Sequence, residues 1–240
     1  MTDWHAICEQ LAQYDTPTIC NVIEMFGIQP HTAGFMNKAI HAAYPALPPM
    51  VGFAATATCR TASPRRKDDA YHHLTQQVER FSELAGRPVV VFQDLDEPPV
   101  AATFGEIMCT TYKIFGAVGL VTNGPGRDLA QVEQLGFPVF TDGAVASHGY
   151  IHILDVHVPV RVGGLTVYPD DLIHADLNGV AVIPRSIAEQ VPGAAAEFVA
   201  AEQIILKTLH MPGVSLEGLR TAIGKADEAM AQLQRSLAAG

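Results

Sequence analysis

The feature that most constrains this chain is a strand, a glycine-rich turn and a helix in immediate succession. Ala117 to Thr122 is a short apolar run with the character of a buried strand. Asn123-Gly124-Pro125-Gly126-Arg127-Asp128 follows as a turn, and Leu129, Val132 and Leu135 then recur at the spacing of one helix face. The turn delivers an Arg and an Asp to the start of a helix. An anionic substrate and a divalent cation can be held together there.

The same alternation recurs along the first 150 residues and predicts a partly parallel sheet. Strands are expected over Val51 to Thr61, Pro88 to Phe92 and Phe137 to Thr141. Residues 6–26 read as helix, broken at Asp15-Thr16-Pro17, with Asp15 or Thr16 as cap and Pro17 in the first turn. Asp69 to Leu84 reads as an amphipathic helix on Leu74, Val78, Phe81 and Leu84, and Gly105 to Phe115 as a helix opened by glycine. After residue 150 the pattern becomes hairpins. Strands Asp155 to Val162, Leu165 to Tyr168, Leu172 to Asp176 and Val180 to Ile183 are joined by Gly163-Gly164, Pro169-Asp170-Asp171 and Leu177-Asn178-Gly179. Asn178-Gly179 is the strongest of these turn signals. Residues 185–210 and 215–238 read as helices separated by Met211-Pro212-Gly213. The first is alanine-rich and suits packing on a neighbouring subunit.

With 48% hydrophobic and 17% charged residues, a sizeable core forms and disorder is disfavoured. The net charge of −10 argues against a nucleic-acid partner, which needs a basic face. The basic cluster Arg65-Arg66-Lys67 lies beside Asp68-Asp69 and reads as a solvated loop. Cys8, Cys20, Cys59 and Cys109 form no CxxC pair, which disfavours structural zinc and suits reduced thiols in the cytoplasm. No signal peptide is expected at the N-terminus. No run reaches the roughly eighteen apolar residues of a membrane span.

The turn at Gly124 invites a dinucleotide reading, but the third glycine of that fingerprint is replaced by Leu129, and no Walker sequence is present. Arg127 and Asp128 then have two readings. In one, Asp128 caps its helix and Arg127 pairs on the surface. In the other, the planar fork of Arg127 binds a 2-oxo acid. Asp128 then holds Mg²⁺ or Mn²⁺, which polarises the keto oxygen. Glu106 is either a stabilising first-turn acid or an outer carboxylate that orients metal-bound water. His148, His152 and His157 lack metal-ligand spacing, and His152 and His157 have opposite strand parity. They read as structural or rim residues, with His148 in a loop. No GxSxG nucleophile turn occurs. Lys113 sits a helix away from the turn, which supports a Schiff-base aldolase poorly.

Several ordered motifs together resemble the RraA-like family. They are Gly105-Glu106, Gly116-Ala117-Val118-Gly119, Asn123-Gly124-x-x-Arg127-Asp128 and Phe137-Pro138-Val139-Phe140. Further on come Gly163-Gly164-Leu165-Thr166-Val167 and Asp171-Leu172-Ile173-His174-Ala175-Asp176-x-x-Gly179-Val180. The resemblance spans roughly residues 15 to 205. It implies an α/β fold of the swivelling β/β/α sandwich type with mixed sheets and C-terminal helices. The whole of 1–240 is then a single domain with a helical tail over 206–240. It also implies a homotrimer, or a hexamer of two trimers, with shared active sites. The activity implied is a metal-dependent lyase that cleaves a 2-oxo acid to pyruvate, as the family's 4-hydroxy-4-methyl-2-oxoglutarate aldolases do, or decarboxylates oxaloacetate.

By motif position, Arg127 resembles the family's substrate-binding arginine, Asp128 its metal ligand and Glu106 its acidic partner to metal-bound water. Gly105 opens the loop whose next N–H groups, on Ile107 and Met108, resemble its donors to the pyruvyl carboxylate. An acidic residue of the aldolases is Gln131 here, which can reach the metal only through water. Asp170 stands where glycine usually precedes the second hairpin's Asp171. Glu197 and Glu202 are candidates for an acid contributed by a neighbour's C-terminal helix. Contacts to the substrate's distal group are expected from loops near Thr141 to His152, or from another subunit. The alternative function is a non-catalytic regulator that binds a ribonuclease or another protein on the same fold.

Overall fold

The computed structural model describes residues 2–65 and 73–239. Its helices are α1 (Trp4–Leu11), α2 (Thr16–Met25), α3 (Leu74–Glu79), α4 (Glu106–Ile114), α5 (Leu129–Gln134), α6 (Val191–Leu209) and α7 (Leu216–Ala239). Its strands are β1 (His41–Ala42), β2 (Met50–Arg60), β3 (Pro88–Asp94), β4 (Gly119–Thr122) and β5 (Val139–Thr141). The chain continues through β6 (His152–Val156), β7 (Val160–Val162), β8 (Leu165–Val167), β9 (Leu172–Asp176) and β10 (Gly179–Ile183).

The long strand β2 organises the layers, because successive side chains point to opposite faces. Ala55, Ala57 and Cys59 face one core with Val90, Phe92, Leu120 and the helical residues Cys109, Tyr112 and Val132. Met50 and Ala54 face another with Val89, Val91, Val121 and the hairpin residues Val160, Val162 and Val167. Helices therefore cover one side of the sheet and a second β layer covers the other, which is the expected β/β/α sandwich. The main sheet runs β1-β5-β4-β3-β2-β9-β10, with β6 paired to the far half of β2. β2, β3, β4 and β5 are mutually parallel, so they all end at one edge.

Local chemistry explains the boundaries. Asp15 caps α2 by accepting from the Thr18 N–H at 2.9 Å, with Pro17 in the first turn as expected. Gly163-Gly164 makes a two-residue turn with positive φ at both positions, where a side chain would be strained.

Other boundaries move. The strand expected over Asp155 to Val162 is two strands, β6 and β7, because His157 takes a left-handed conformation (φ 54°) between them. The β9–β10 hairpin exists, but its loop is Leu177-Asn178. Gly179 pairs with Asp176, and the Asp176 carboxylate accepts the Asn178 N–H to tighten the loop. The helix expected from residue 185 begins at Val191, after a run of turns. Its alanines Ala194 and Ala195 pack inside this chain, with Ile19 and Ile23 of α2 and Leu233 of α7, while Ala196 and Ala200 are exposed. Of the helix expected over Asp69 to Leu84, the described part is α3 followed by a 3-10 turn, Arg80–Glu83. Residues 69–72 and the charge cluster from Arg66 to Asp69 lie outside the described residues.

One buried polar knot ties α1 and α2 to the sheet. His174 Nε2 donates to the Leu11 carbonyl at 3.2 Å, so its Nδ1 accepts from the Thr16 hydroxyl at 3.0 Å. The Thr16 N–H donates to Asp176 at 2.9 Å. Burial holds the His174 imidazole below its ordinary pKa. A group depressed in the folded state adds stability above its unfolded pKa of about 6.5 and loses it as pH falls. The urea midpoint should therefore drop between pH 7.5 and 5.5. His174→Gln should be less stable at pH 7.5 but show a shallower drop. Part of the slope should remain, because burial depresses His157 in the same direction. A variant slope as steep as wild type would contradict this assignment.

Candidate functional site

The site forms where the parallel strands end. The backbone ladder continues past those ends into three loops. Phe104 bridges to Gly126, and Gly126 to Ala144, all parallel. The Arg127 N–H donates to the Phe104 carbonyl at 3.1 Å, Gly126 N–H to Gly143 at 3.0 Å, and Val145 N–H to Gly126 at 2.9 Å. The glycines of the turn are required by this close approach. A Cβ on Gly126 would overlap the Phe104 ring, and one on Gly124 would come within 2.5 Å of the Thr103 methyl. The N–H groups of Gly124, Gly126 and Arg127 all have internal partners, so the turn is not itself an anion cradle.

Neighbouring side chains pin the turn. Asn123 imitates a strand residue, accepting from the Asp94 N–H at 2.7 Å and donating to the Asp94 carbonyl at 2.9 Å. The Thr122 hydroxyl accepts from the Gly124 N–H at 3.1 Å, and the Thr141 hydroxyl donates to the Gly124 carbonyl at 2.7 Å. The acidic turn after β3 is likewise internal. Asp94 accepts from Thr61, and Asp96 accepts from the Thr61 and Ala62 N–H groups and from Arg60.

Asp128 stands out against this background. Its backbone is left-handed (φ 55°, ψ 34°), and its side chain does not cap α5. Asp tolerates that conformation better than most residues, and strain of this kind concentrates at functional positions. The carboxylate instead crosses to the start of α4, where Oδ2 accepts from the Glu106 N–H at 3.2 Å. Gly105 makes room, since a Cβ there would lie 2.7 Å from the same oxygen. Arg127 Nε lies 3.7 Å from Oδ2. Both contacts use Oδ2, and no hydrogen bond to Oδ1 occurs among the described residues. The simple cap expected as one reading of Asp128 is thus replaced by a bridge between two helix starts.

Two hollows flank the Arg127–Asp128 pair. One, about 230 Å³, is lined by Phe104, Gly105, Met108, His148 and Ile151 among others. The second, about 410 Å³ and more open, is lined by Leu129 and by Ala144 to Ala146. The start of α4 faces this region with N–H groups that lack intrahelical partners by geometry, those of Ile107 and Met108 included. The positive end of the helix dipole lies there too. Glu106 is exposed at the first position of α4 and lines neither hollow, and Gln131 is exposed on α5 and also lines neither.

The other candidates lie apart. Lys113 is at the far end of α4, where it donates to the Leu135 carbonyl. It also lines a wide hollow of about 350 Å³ that includes Met50 and Pro138, at the opposite, amino end of the parallel strands. Cys8 lines that hollow as well, but burial pushes its thiol up to about 11. Burial pushes Cys20 to about 11 and Cys109 to about 12, so these thiols stay protonated near neutrality. Among the described residues no group of three or more His, Cys, Asp or Glu converges as a metal cage. Glu197 is exposed and Glu202 half-buried on α6. Phe104 escaped sequence reasoning, because nothing in its spacing marks it, whereas Ile151 falls inside the expected 141–152 segment. His148 and the Ala144–Ala146 loop fall inside the expected 141–152 segment.

A family model described as RraA-like, Aldolase/RraA, matches residues 16–182, more than half of the chain. The chain belongs to the RraA-like family. A protein of Halalkalibacterium halodurans named "Putative 4-hydroxy-4-methyl-2-oxoglutarate aldolase" is 35% identical over 91 residues, which are 38% of this chain and 43% of that protein. Protein DlpA of Legionella pneumophila is 26% identical over 157 residues, 65% of this chain and 25% of its own. The match thus spans less than half the length of either relative. Among solved structures, Streptomyces coelicolor RraAS2, described as an unusual member of the RNase ES inhibitor RraA protein family, superposes with a TM-score of 0.67. It shows 24% identity over 84% of this chain and 96% of its own. An uncharacterized Pseudomonas syringae protein superposes with a TM-score of 0.71 at 22% identity, over 92% and 95%. These two share the fold.

The loop ladder yields a stability prediction. Gly126→Ala forces a methyl into the Phe104 ring and should cost about 1–3 kcal/mol in urea unfolding. Adding Phe104→Leu should recover part of that loss, giving a coupled double-mutant cycle. Additive losses would contradict the packing role.

Proposed function

We propose that this protein is a divalent-cation-dependent lyase for 2-oxo acids. It would release pyruvate by retro-aldol cleavage and, from oxaloacetate, by decarboxylation. The observation that carries this reading is the Asp128 bridge to α4. It gathers a guanidinium, a carboxylate with one uncommitted oxygen and a positive helix end around one hollow. The aldolase name of a relative sharing 35% identity supports it.

In this reading Arg127 binds the substrate carboxylate through its planar fork, and the N–H groups of Ile107 and Met108 donate to the same pyruvyl end. Glu106, exposed at the first position of α4, takes the proton of the substrate hydroxyl through water. As the carbon–carbon bond breaks, its electron pair moves toward the 2-oxo group and the departing carbon becomes a carbonyl. Arg127 and the α4 start stabilise that growing charge in place. Asp128 would hold Mg²⁺ or Mn²⁺, which would supply Lewis-acid polarisation of the keto oxygen. A single hard oxygen donor with open space beside it suits such an ion, which keeps several waters. Gln131 would reach it only through water.

A coupled pyruvate assay with oxaloacetate and 4-hydroxy-4-methyl-2-oxoglutarate tests this. Activity should vanish with EDTA and return with Mg²⁺ or Mn²⁺. Arg127→Ala should lower kcat/KM at least a hundredfold, about 2.7 kcal/mol, and Arg127→Lys should recover little because the fork is lost. Metal-dependent release unchanged in Asp128→Ala would contradict the assignment.

The exposed face of α4 favours assembly beside the site. Ile107 is 78% exposed, Ile114 73% and Phe115, just past the helix end, 59%. Adjoining apolar side chains of this size mark an interaction surface, and we propose that neighbouring copies in a homotrimer or hexamer cover it. Light scattering should give three or six times the chain mass, and Ile114→Asp with Phe115→Asp should lower it. A monomer at working concentration would contradict this. Failure to release pyruvate with any divalent ion, together with capture of a ribonuclease, would instead favour the regulator reading.

A further inference from the structure

The hollow at the amino ends of the parallel strands is built differently from those beside Arg127. Its volume of about 350 Å³ falls in the range of small-molecule pockets. Met50, Val51, Ala117 and Phe137 are buried and give it an apolar floor. Pro48, Pro49 and Pro138 wall it with backbone whose φ is fixed by the ring. The strand starts around it are tied together. The Phe53 N–H donates to the Arg87 carbonyl at 2.8 Å, Val118 N–H to Pro88 at 2.8 Å, and Leu120 N–H to Pro138 at 3.0 Å. The hollow is therefore preformed, which lowers the ordering cost of binding.

Two cations stand on this apolar lining, Arg87 and Lys113. The Arg87 guanidinium is exposed and makes no hydrogen bond or ion pair among the described residues. It lies close enough to the Cys8 wall to oppose, with Arg185, the upward push of burial on that thiol. Lys113 donates to the Leu135 carbonyl, and its ammonium carries further N–H groups. The one acid on the lining, Glu9, faces His5 at 3.6 Å. Positive charge thus gathers at this edge of a chain whose net charge is −10. Ile107, Ile114 and Phe115, the face assigned above to neighbouring copies, do not line the hollow.

We propose that this hollow is a second binding site, separate from Arg127 and Asp128, for a small organic anion whose carboxylate or phosphate head is carried on an alkyl body. Arg87 binds the head through its planar fork, and Lys113 adds a point charge on the same lining. The alkyl body covers Met50, Val118 and Phe137, where burying apolar surface stabilises the complex. Both parts are required, because an alcohol leaves the Arg87 fork unused and acetate leaves the apolar floor in water.

The test titrates the full chain with octanoate, octyl phosphate, octanol and acetate below micelle-forming concentrations. Calorimetry gives the affinities, and methionine methyl NMR gives the place. Octanoate or octyl phosphate should bind, and the tighter of the two identifies the head group. Octanol and acetate should each bind at least tenfold more weakly. The Met50 methyl resonance should shift, while that of Met108, beside Arg127, should not. Arg87→Gln should weaken binding at least tenfold, and Arg127→Ala should leave it unchanged. Octanol binding as tightly as the anions would overturn the proposal. So would an unmoved Met50 methyl, full affinity in Arg87→Gln, or affinity lost in Arg127→Ala, which would place the anion in the other site. Failure of both anions to bind would overturn it as well. These readouts involve no turnover, so the lyase reading stands or falls separately.

Discussion

The site depends on a backbone ladder that does not stop where the strands stop. Phe104, Gly126 and Ala144 pair in parallel beyond the ends of β3, β4 and β5. Three loops that would otherwise move independently are thereby fixed in register. Gly126 permits it by leaving space for the Phe104 ring, and the Thr122 and Thr141 hydroxyls hold Gly124 from both sides. Sites built on rigid elements hold their geometry better than sites on free loops. Here the loops have been given the rigidity of a sheet.

Asp128 links that rigid ladder to the start of α4. Its left-handed backbone turns the carboxylate away from its own helix and toward α4. One oxygen closes the gap between two loops, and the other makes no hydrogen bond among the described residues. Arg127 shares an oxygen with the α4 N–H rather than neutralising the whole group. A carboxylate half committed to structure is pre-positioned at little further entropic cost, which is how an active site lowers the cost of organising itself during reaction.

Much of this was legible in the sequence, for identifiable reasons. Pro17 after Asp15 marks a helix restart because proline tolerates only the first turn. Parallel strands followed by Gly105-Glu106 and Gly124 to Asp128 place both turns on one edge, since the connections between parallel strands must cross over. Other parts were hidden because long-range packing decides them. The break at His157 is a backbone excursion at a residue type that carries no such signal in a strand pattern. Asn178-Gly179 looked like the hairpin turn, but pairing of Gly179 with Asp176 moved the loop back one residue. The alanine-rich α6 read as an interface, but its Ala194 and Ala195 form an internal contact with α2 and α7. Phe104 looked like one more apolar residue, and only its contact with Gly126 gives it a role.

The central claim is that Asp128 and Arg127 form one binding unit, a cation site and an oxo-acid anchor coupled through a shared geometry. Mn²⁺ binding followed by electron paramagnetic resonance, with and without pyruvate, tests it without relying on turnover. Wild type should bind Mn²⁺, and pyruvate should tighten that binding. Asp128→Ala should lose Mn²⁺ binding, and Arg127→Ala should keep it but lose the effect of pyruvate. Wild-type affinity for Mn²⁺ in Asp128→Ala, or a full pyruvate effect in Arg127→Ala, would contradict the account.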